Sequence, residues 1–84
     1  MYSGRFRRPI HVTAHARSRM IERQIDDALL LDLIDFGETR YKDGVRLWIH
    51  KAYAGRSDNR LCAAVALNPG AVIVKTVMHH FQLA

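Results

Sequence analysis

His15, Arg19 and Arg23 are spaced i, i+4 and i+8 within His15-Ala16-Arg17-Ser18-Arg19-Met20-Ile21-Glu22-Arg23-Gln24-Ile25. On a helix these three form one row. A column of one imidazole and two guanidiniums is equipped to hold a phosphate. Guanidinium forks grip phosphate oxygens in pairs, and histidine exchanges a proton near neutral pH. Glu22, three residues after Arg19, can pair with the row, which leaves Ala14, Met20 and Ile21 to face a core. A solvated basic helix face would show the same spacing. A second feature, His79-His80, lies near the C-terminus. Adjacent strand residues point to opposite faces, so only one of this pair can share a site with the helix. Two ordinary strand-end histidines would look alike.

Cleavage of RNA without a metal needs three kinds of group: a base for the ribose 2′-hydroxyl, an acid for the leaving oxygen, and cations for the charge on phosphorus. His15, His79 and His80 supply the proton-transfer types, and Arg19, Arg23, Arg46 and Lys75 the cations. Tyr53, in a polar loop, is a candidate to stack on a base. Trp48, alternating with Arg46 and His50, could also stack a base, but a lone strand tryptophan more often covers a helix, so core or partner contact is the favoured reading. No cofactor is expected and no metal. Cys62 sits in an apolar run, and no second close-spaced ligand pair accompanies the histidines. A glycine-rich phosphate loop and a nucleophile elbow are both missing.

The bulk properties agree with an acidic partner. The 84 residues carry a net charge of +5, enough for one small domain with a thin core. The charge is segregated. Arg5, Arg7, Arg8, Arg17, Arg19 and Arg23 face only Glu22 in the first part, whereas Asp26, Asp27, Asp32, Asp35, Glu38 and Asp43 dominate the next. The start of the chain shows no apolar leader, and no apolar run approaches the roughly 20 residues of a membrane span. With one cysteine, the expected location is the cytoplasm. No membrane partner is expected.

The elements that must position these groups follow from periodicity. Residues 1–8 read as a flexible basic arm, and Pro9 to Thr13 as a short edge strand or an extended lead-in. Thr13 is a plausible N-cap for a helix from about Ala14 to Arg23. A second helix runs from Asp27 to Phe36, with an acidic start, a wide apolar stripe and Gly37 as its C′ residue. Beyond it the period becomes two. Glu38 to Lys42 and Val45 to Lys51 flank an Asp43-Gly44 hairpin signal, Arg60 to Leu67 is apolar enough to be central, and Ala71 to about Phe81 is last. In that last strand Val72, Val74, Thr76, Met78 and His80 alternate with Ile73, Lys75, Val77, His79 and Phe81. The expected fold is α+β: a single domain with two N-terminal helices packed on a three- to four-stranded antiparallel sheet.

Thr13-Ala14-His15-Ala16-Arg17-Ser18-Arg19-Met20-Ile21-Glu22-Arg23-Gln24-Ile25 and Lys75-Thr76-Val77-Met78-His79-His80-Phe81 together resemble a family of small bacterial proteins, the domain-of-unknown-function 4258 family. Its members open with a His-Ala-x-x-Arg-Met-x-x-Arg-x-Ile helix and close with a strand bearing Thr-Val and basic or aromatic residues. The resemblance covers most of residues 11–81. That family is in turn similar to the RelE and barnase–EndoU–colicin group of metal-independent ribonucleases. The resemblance implies a RelE-like sheet with its site on the open face and the nearby helix. It carries His15, Arg19 and Arg23 over as the helix motif, Thr76 as the strand motif, and His79 and His80 loosely. A lysine-rich helix of the RelE kind is missing.

The expectation is therefore a toxin-like, metal-independent ribonuclease of a bacterial toxin–antitoxin or conflict system. His15 with His79 or His80 would transfer protons, and Arg19, Arg23, Arg46, Lys75 and Tyr53 would bind RNA. Glu22 and Thr76 would support the site. Its partners would be RNA, on or off the ribosome, and an acidic antitoxin, with a second copy of the chain as a further candidate. The alternative is a non-catalytic module that uses the same basic patch for nucleic acid or protein.

Overall fold

A computed structural model describes residues 1–55 and 60–79 of the chain, the side chain of His79 excepted. Eight elements follow in order: β1 (Tyr2–Ser3), β2 (Arg8–Val12), α1 (Ala14–Glu22), α2 (Asp27–Phe36), β3 (Glu38–Tyr41), β4 (Arg46–Ala52), β5 (Arg60–Asn68) and β6 (Ala71–His79). The strands form one sheet in the order β1-β2-β6-β5-β4-β3. Both helices lie on one of its faces. There Ile10, Leu47, Ile49, Leu61, Ala63, Val65, Val72, Val74 and Val77 close against Ala16, Met20, Leu30, Leu33 and Ile34 in a single core. Among the described residues, no helix is long and apolar enough to cross a membrane.

This sheet corrects the expected three- to four-stranded antiparallel one. It has six strands and is mixed, because β2 pairs parallel to β6, with Ile10 opposite Val72 and Val12 opposite Val74. Only Ile10 and Val12 among the β2 residues are apolar, so the local signal for a strand is weak. Its partner lies some sixty residues on, beyond the reach of a local pattern.

The flexible arm is corrected too. Residues 1–8 fold back as an edge hairpin, with Tyr2 opposite Pro9. Ser3 is buried and donates its hydroxyl to Asp35 Oδ1 at 2.6 Å. Arg5 Nη1 donates to the carbonyls of Ile34 and Gly37, at 3.1 and 2.7 Å, and so caps the end of α2. These contacts depend on polar side chains meeting across the fold, which composition does not report. Since α2 touches both β1 and β4, the sheet curls around it.

Helix ends follow the sequence closely. Thr13 Oγ1 accepts from Ala16 N, and Asp26 Oδ1 accepts from Leu29 N. Gly37 does something other than a left-handed cap. Its backbone is extended, at φ −72° and ψ 165°, and it sits against β4. The Asp43-Gly44 turn also departs from expectation. A two-residue type I′ hairpin needs positive φ, and Gly44 does not have it. Residues 42–45 form a wider loop in which Asp43 Oδ1 accepts from the amides of Val45 and Arg46.

On α2, Asp32 faces Lys51 Nζ at 2.7 Å and the Tyr53 hydroxyl at 2.6 Å. The hydrogen bond from Lys51, then that from Tyr53, holds its carboxyl below the usual value of 3.8, with burial opposing. A group whose folded pKa is depressed adds stability that is present above its unfolded pKa and is lost as pH falls through the folded one. The urea midpoint of the wild type is therefore expected to fall more steeply on acidification below about pH 4 than that of Asp32→Asn. Parallel acid profiles would remove this role.

Candidate nucleic-acid interface

α1 is placed by its two ends and its underside. The β2 chain stops pairing with β6 at Val74. There Thr13 turns away, its amide donating to the Val74 carbonyl and its hydroxyl to the Lys75 carbonyl, both at 3.2 Å. The helix then packs against β6. Ala16 and Met20, one turn apart, are its fully buried residues. Ala14 and Ile21, expected to face the core, are exposed, because the helix meets the sheet through the 16/20 edge instead.

This orientation turns His15 and Arg19 outward, whereas Arg23, the C-cap residue, has its Nε and Nη1 buried. His15 is exposed in the first turn. The Arg19 side chain is 42% exposed, and that of Arg23, at 20%, is set further in. Glu22 Oε2 lies 3.0 Å from Arg19 Nη1 and 3.7 Å from Arg23 Nη1, so one carboxylate spans both guanidiniums. Arg17, on a different side of the helix, pairs with Asp27 and ties α1 to the start of α2. Met20 is the anchor under the row. Met20→Ala is expected to cost about 2–5 kcal/mol in urea unfolding and to weaken any ligand of the row without touching it. A change under about 1 kcal/mol would mean that α1 is held from elsewhere.

β6 contains a bulge. Ala64 pairs with Thr76 while Val65 pairs with Val74, so Lys75 is the extra residue. This corrects the strict alternation expected for the strand. Val77 joins Val72 and Val74 in the core, and Thr76 moves to the face away from the helices beside Ala64 and, beyond it, Trp48. His79 is the last residue of β6 and pairs in register with Leu61. Its side chain, and all of His80 and Phe81, lie outside the described residues.

The remaining candidates divide between two places. Arg46 and Lys75 line a shallow cavity of about 210 Å3 on the face away from the helices, together with Lys42, Trp48 and Ala64. Arg46 is held by Asp43, whose Oδ2 lies 2.7 Å from Nε and 2.6 Å from Nη2. The amides of Val45 and Arg46, and then the Arg46 side chain, pull the Asp43 carboxyl down to about 2. Tyr53 is not with them. It packs against the core, with its hydroxyl on Asp32 and Lys51 Nζ 5.1 Å from its ring centre, so the expected base-stacking role is withdrawn.

A pair that the sequence reading passed over is His50 with Glu38. His50 is buried, and its Nε2 lies 3.6 Å from Glu38 Oε2 at the edge of a cavity of about 240 Å3. The signal was present, since pairing strands across Asp43-Gly44 places Glu38 opposite His50. Cys62 is the next cross-strand neighbour of His50. Burial pushes its thiol up to about 12, which keeps it protonated and unsuited to attack at neutral pH. Among the described residues, no group of three His, Cys, Asp or Glu side chains is placed to hold a metal ion.

A two-helix layer on one face of a mixed six-stranded sheet defines a small α+β domain. The model of the family described as a domain of unknown function, 4258, matches residues 12–79, and the chain belongs to that family. The match takes in the whole of α1 and the strand through His79. No curated protein and no solved structure matches the chain.

Proposed function

We propose that the protein is a toxin-like, metal-independent ribonuclease that acts in the cytoplasm and is countered by an acidic antitoxin. The observation that carries this reading is one face of α1, where the exposed His15 imidazole stands one turn from the part-exposed Arg19 guanidinium, with that of Arg23 set further in at the C-cap. His15 takes the proton of a ribose 2′-hydroxyl, and the 2′-oxygen attacks phosphorus. Arg19 and Arg23 hold the phosphate and its added negative charge. The bond to the 5′-oxygen breaks, and one of the two histidines near the C-terminus, His79 or His80, returns a proton to it. The products are a 2′,3′-cyclic phosphate and a 5′-hydroxyl.

The alternative, a non-catalytic module that binds nucleic acid or an acidic protein, is favoured by one contact. Glu22 engages both arginines and partly neutralises the row. The two readings separate in one experiment. Purified protein is incubated with bacterial RNA in EDTA, and the fragment ends are tested for direct phosphorylation by polynucleotide kinase. The ribonuclease reading expects defined fragments with free 5′-hydroxyls, lost in Arg19→Ala. Intact RNA that is retarded on a gel supports the module. Fragments that disappear in EDTA overturn the mechanism.

A further inference from the structure

The cavity on the face away from the helices lies outside the α1 row and has a chemistry of its own. Its floor is Ala64, too small to fill the space between β4 and β6. The half-buried indole of Trp48 forms one wall, and Lys42, Arg46 and Lys75 stand around it. Register adds Arg40, which is directly opposite Trp48 on β3 and so shares its face. Among the described residues, the carboxylate bonded to these cations is Asp43, which takes Nε and Nη2 of Arg46 and leaves Nη1 out of the pair. Lys75 is there because of the β6 bulge, which adds this one residue to the strand at the point where α1 begins.

We infer that this cavity is a subsite for single-stranded RNA, with an unpaired base on the Trp48 indole and flanking phosphates on Lys42, Arg46 and Lys75. An aromatic face ringed by cations suits a single strand, because every base offers a π-face and every linkage a charge. A duplex hides its bases within the stack and presents phosphates alone. An acidic peptide would use the cations and leave the indole without a matching group. The subsite also adjoins the row. The Lys75 carbonyl accepts from Thr13, two residues before His15. The row and the cavity lie on opposite faces of the sheet, so a strand held at Trp48 would reach the start of α1 by turning around the edge of β6 at Lys75, where pairing with β2 has ended. This extends the ribonuclease reading by naming its substrate as unpaired RNA, and to that extent it rests on that reading.

Trp48 is the sole tryptophan of the chain, so its fluorescence reports on the cavity directly. The full protein is titrated with a short single-stranded oligoribonucleotide, 2′-O-methylated so that it binds without being cleaved. The same strand in a duplex and poly-glutamate are titrated in parallel. The expected result is quenching by the single strand, at least ten-fold tighter than by the duplex or poly-glutamate. Lys75→Ala and Arg46→Ala should each weaken it and each lower the slope of log K against log salt by about 0.7. Trp48→Ala, read by anisotropy of a labelled strand, should weaken binding about ten- to a hundred-fold. Should that variant fold poorly, Trp48→Phe keeps a ring and should lose less.

No quenching by the single strand overturns the subsite, as does equal response to the duplex. A preference for poly-glutamate overturns it in favour of an acidic protein partner. The two readings fail separately. If only the subsite is wrong, unmodified RNA is still cleaved, and Arg46→Ala and Lys75→Ala cleave as the wild type does. If only the ribonuclease reading is wrong, the quenching remains and no RNA is cut.

Discussion

On the ribonuclease reading, His15→Ala is expected to lower the rate of RNA cleavage by about two to four orders of magnitude, the usual worth of a positioned general base. His15 is exposed in the first turn of α1, so removing its ring leaves no cavity and strands no buried polar group. The urea midpoint should stay within about 0.5 kcal/mol of the wild type, as for other surface substitutions. That separation makes the experiment decisive, because activity falls while the fold does not. His15→Gln, which keeps polarity and loses titration, should be as inactive as His15→Ala. The acidic limb of the pH–rate profile gives a second check, since it reports the base. If both variants keep the wild-type rate, His15 is not the base, and the non-catalytic module becomes the better account of the row.

Gly37→Ala is expected to give the largest loss of stability of any glycine-to-alanine change in the chain. A Cβ at this position would lie 2.5 Å from the Leu33 carbonyl oxygen, 2.7 Å from Ile49 Cγ2 and 2.9 Å from the His50 carbonyl oxygen. Two of the three neighbours are backbone, and Ile49 is fully buried, so none can swing aside. Forcing atoms into a packed core costs about 1–3 kcal/mol, and more where backbone must shift. A domain of this size has roughly 5–10 kcal/mol in all. We expect a loss of about 3 kcal/mol or more in urea unfolding, or a chain that does not fold at all. The effect would reach the candidate sites indirectly. Gly37 joins α2 to β3, and its carbonyl receives Arg5 from the N-terminal hairpin. A midpoint change under 1 kcal/mol would show that α2 and β4 can separate without cost.

Gly37 also shows where local reading stops. Its place after an apolar helix marked it correctly as a helix end. The reason for glycine there is the approach of β4, which is set by a strand that comes later in the chain. The same distinction holds for Trp48 and Lys75. Alternation placed Trp48 beside Arg46 and opposite Leu47 and Ile49, and this is how β4 is built. No alternation places Lys75 at a bulge, since the extra residue appears only when the β6 register is matched to β5. Tyr53 failed for a related reason. A tyrosine in a polar stretch resembles a surface ring until Asp32 and Lys51 are brought to it from two other elements.

What the sequence determined by itself is what depends on near neighbours. This includes both helices with the Thr13 cap, the alternating faces of β4, the central β5 and the one-turn spacing of His15 and Arg19 on α1. Capping, helical spacing and strand alternation act over one to four residues, so a linear reading captures them. Tertiary structure alone decided the parallel pairing of β2 with β6, the docking of the N-terminal hairpin on Asp35 and the bulge that brings Lys75 to Trp48. Each joins groups that are far apart along the chain or unremarkable within it. Their positions follow from how the sheet and helices share one core, and a pattern read along the chain carries no information about which distant partner will fill that space.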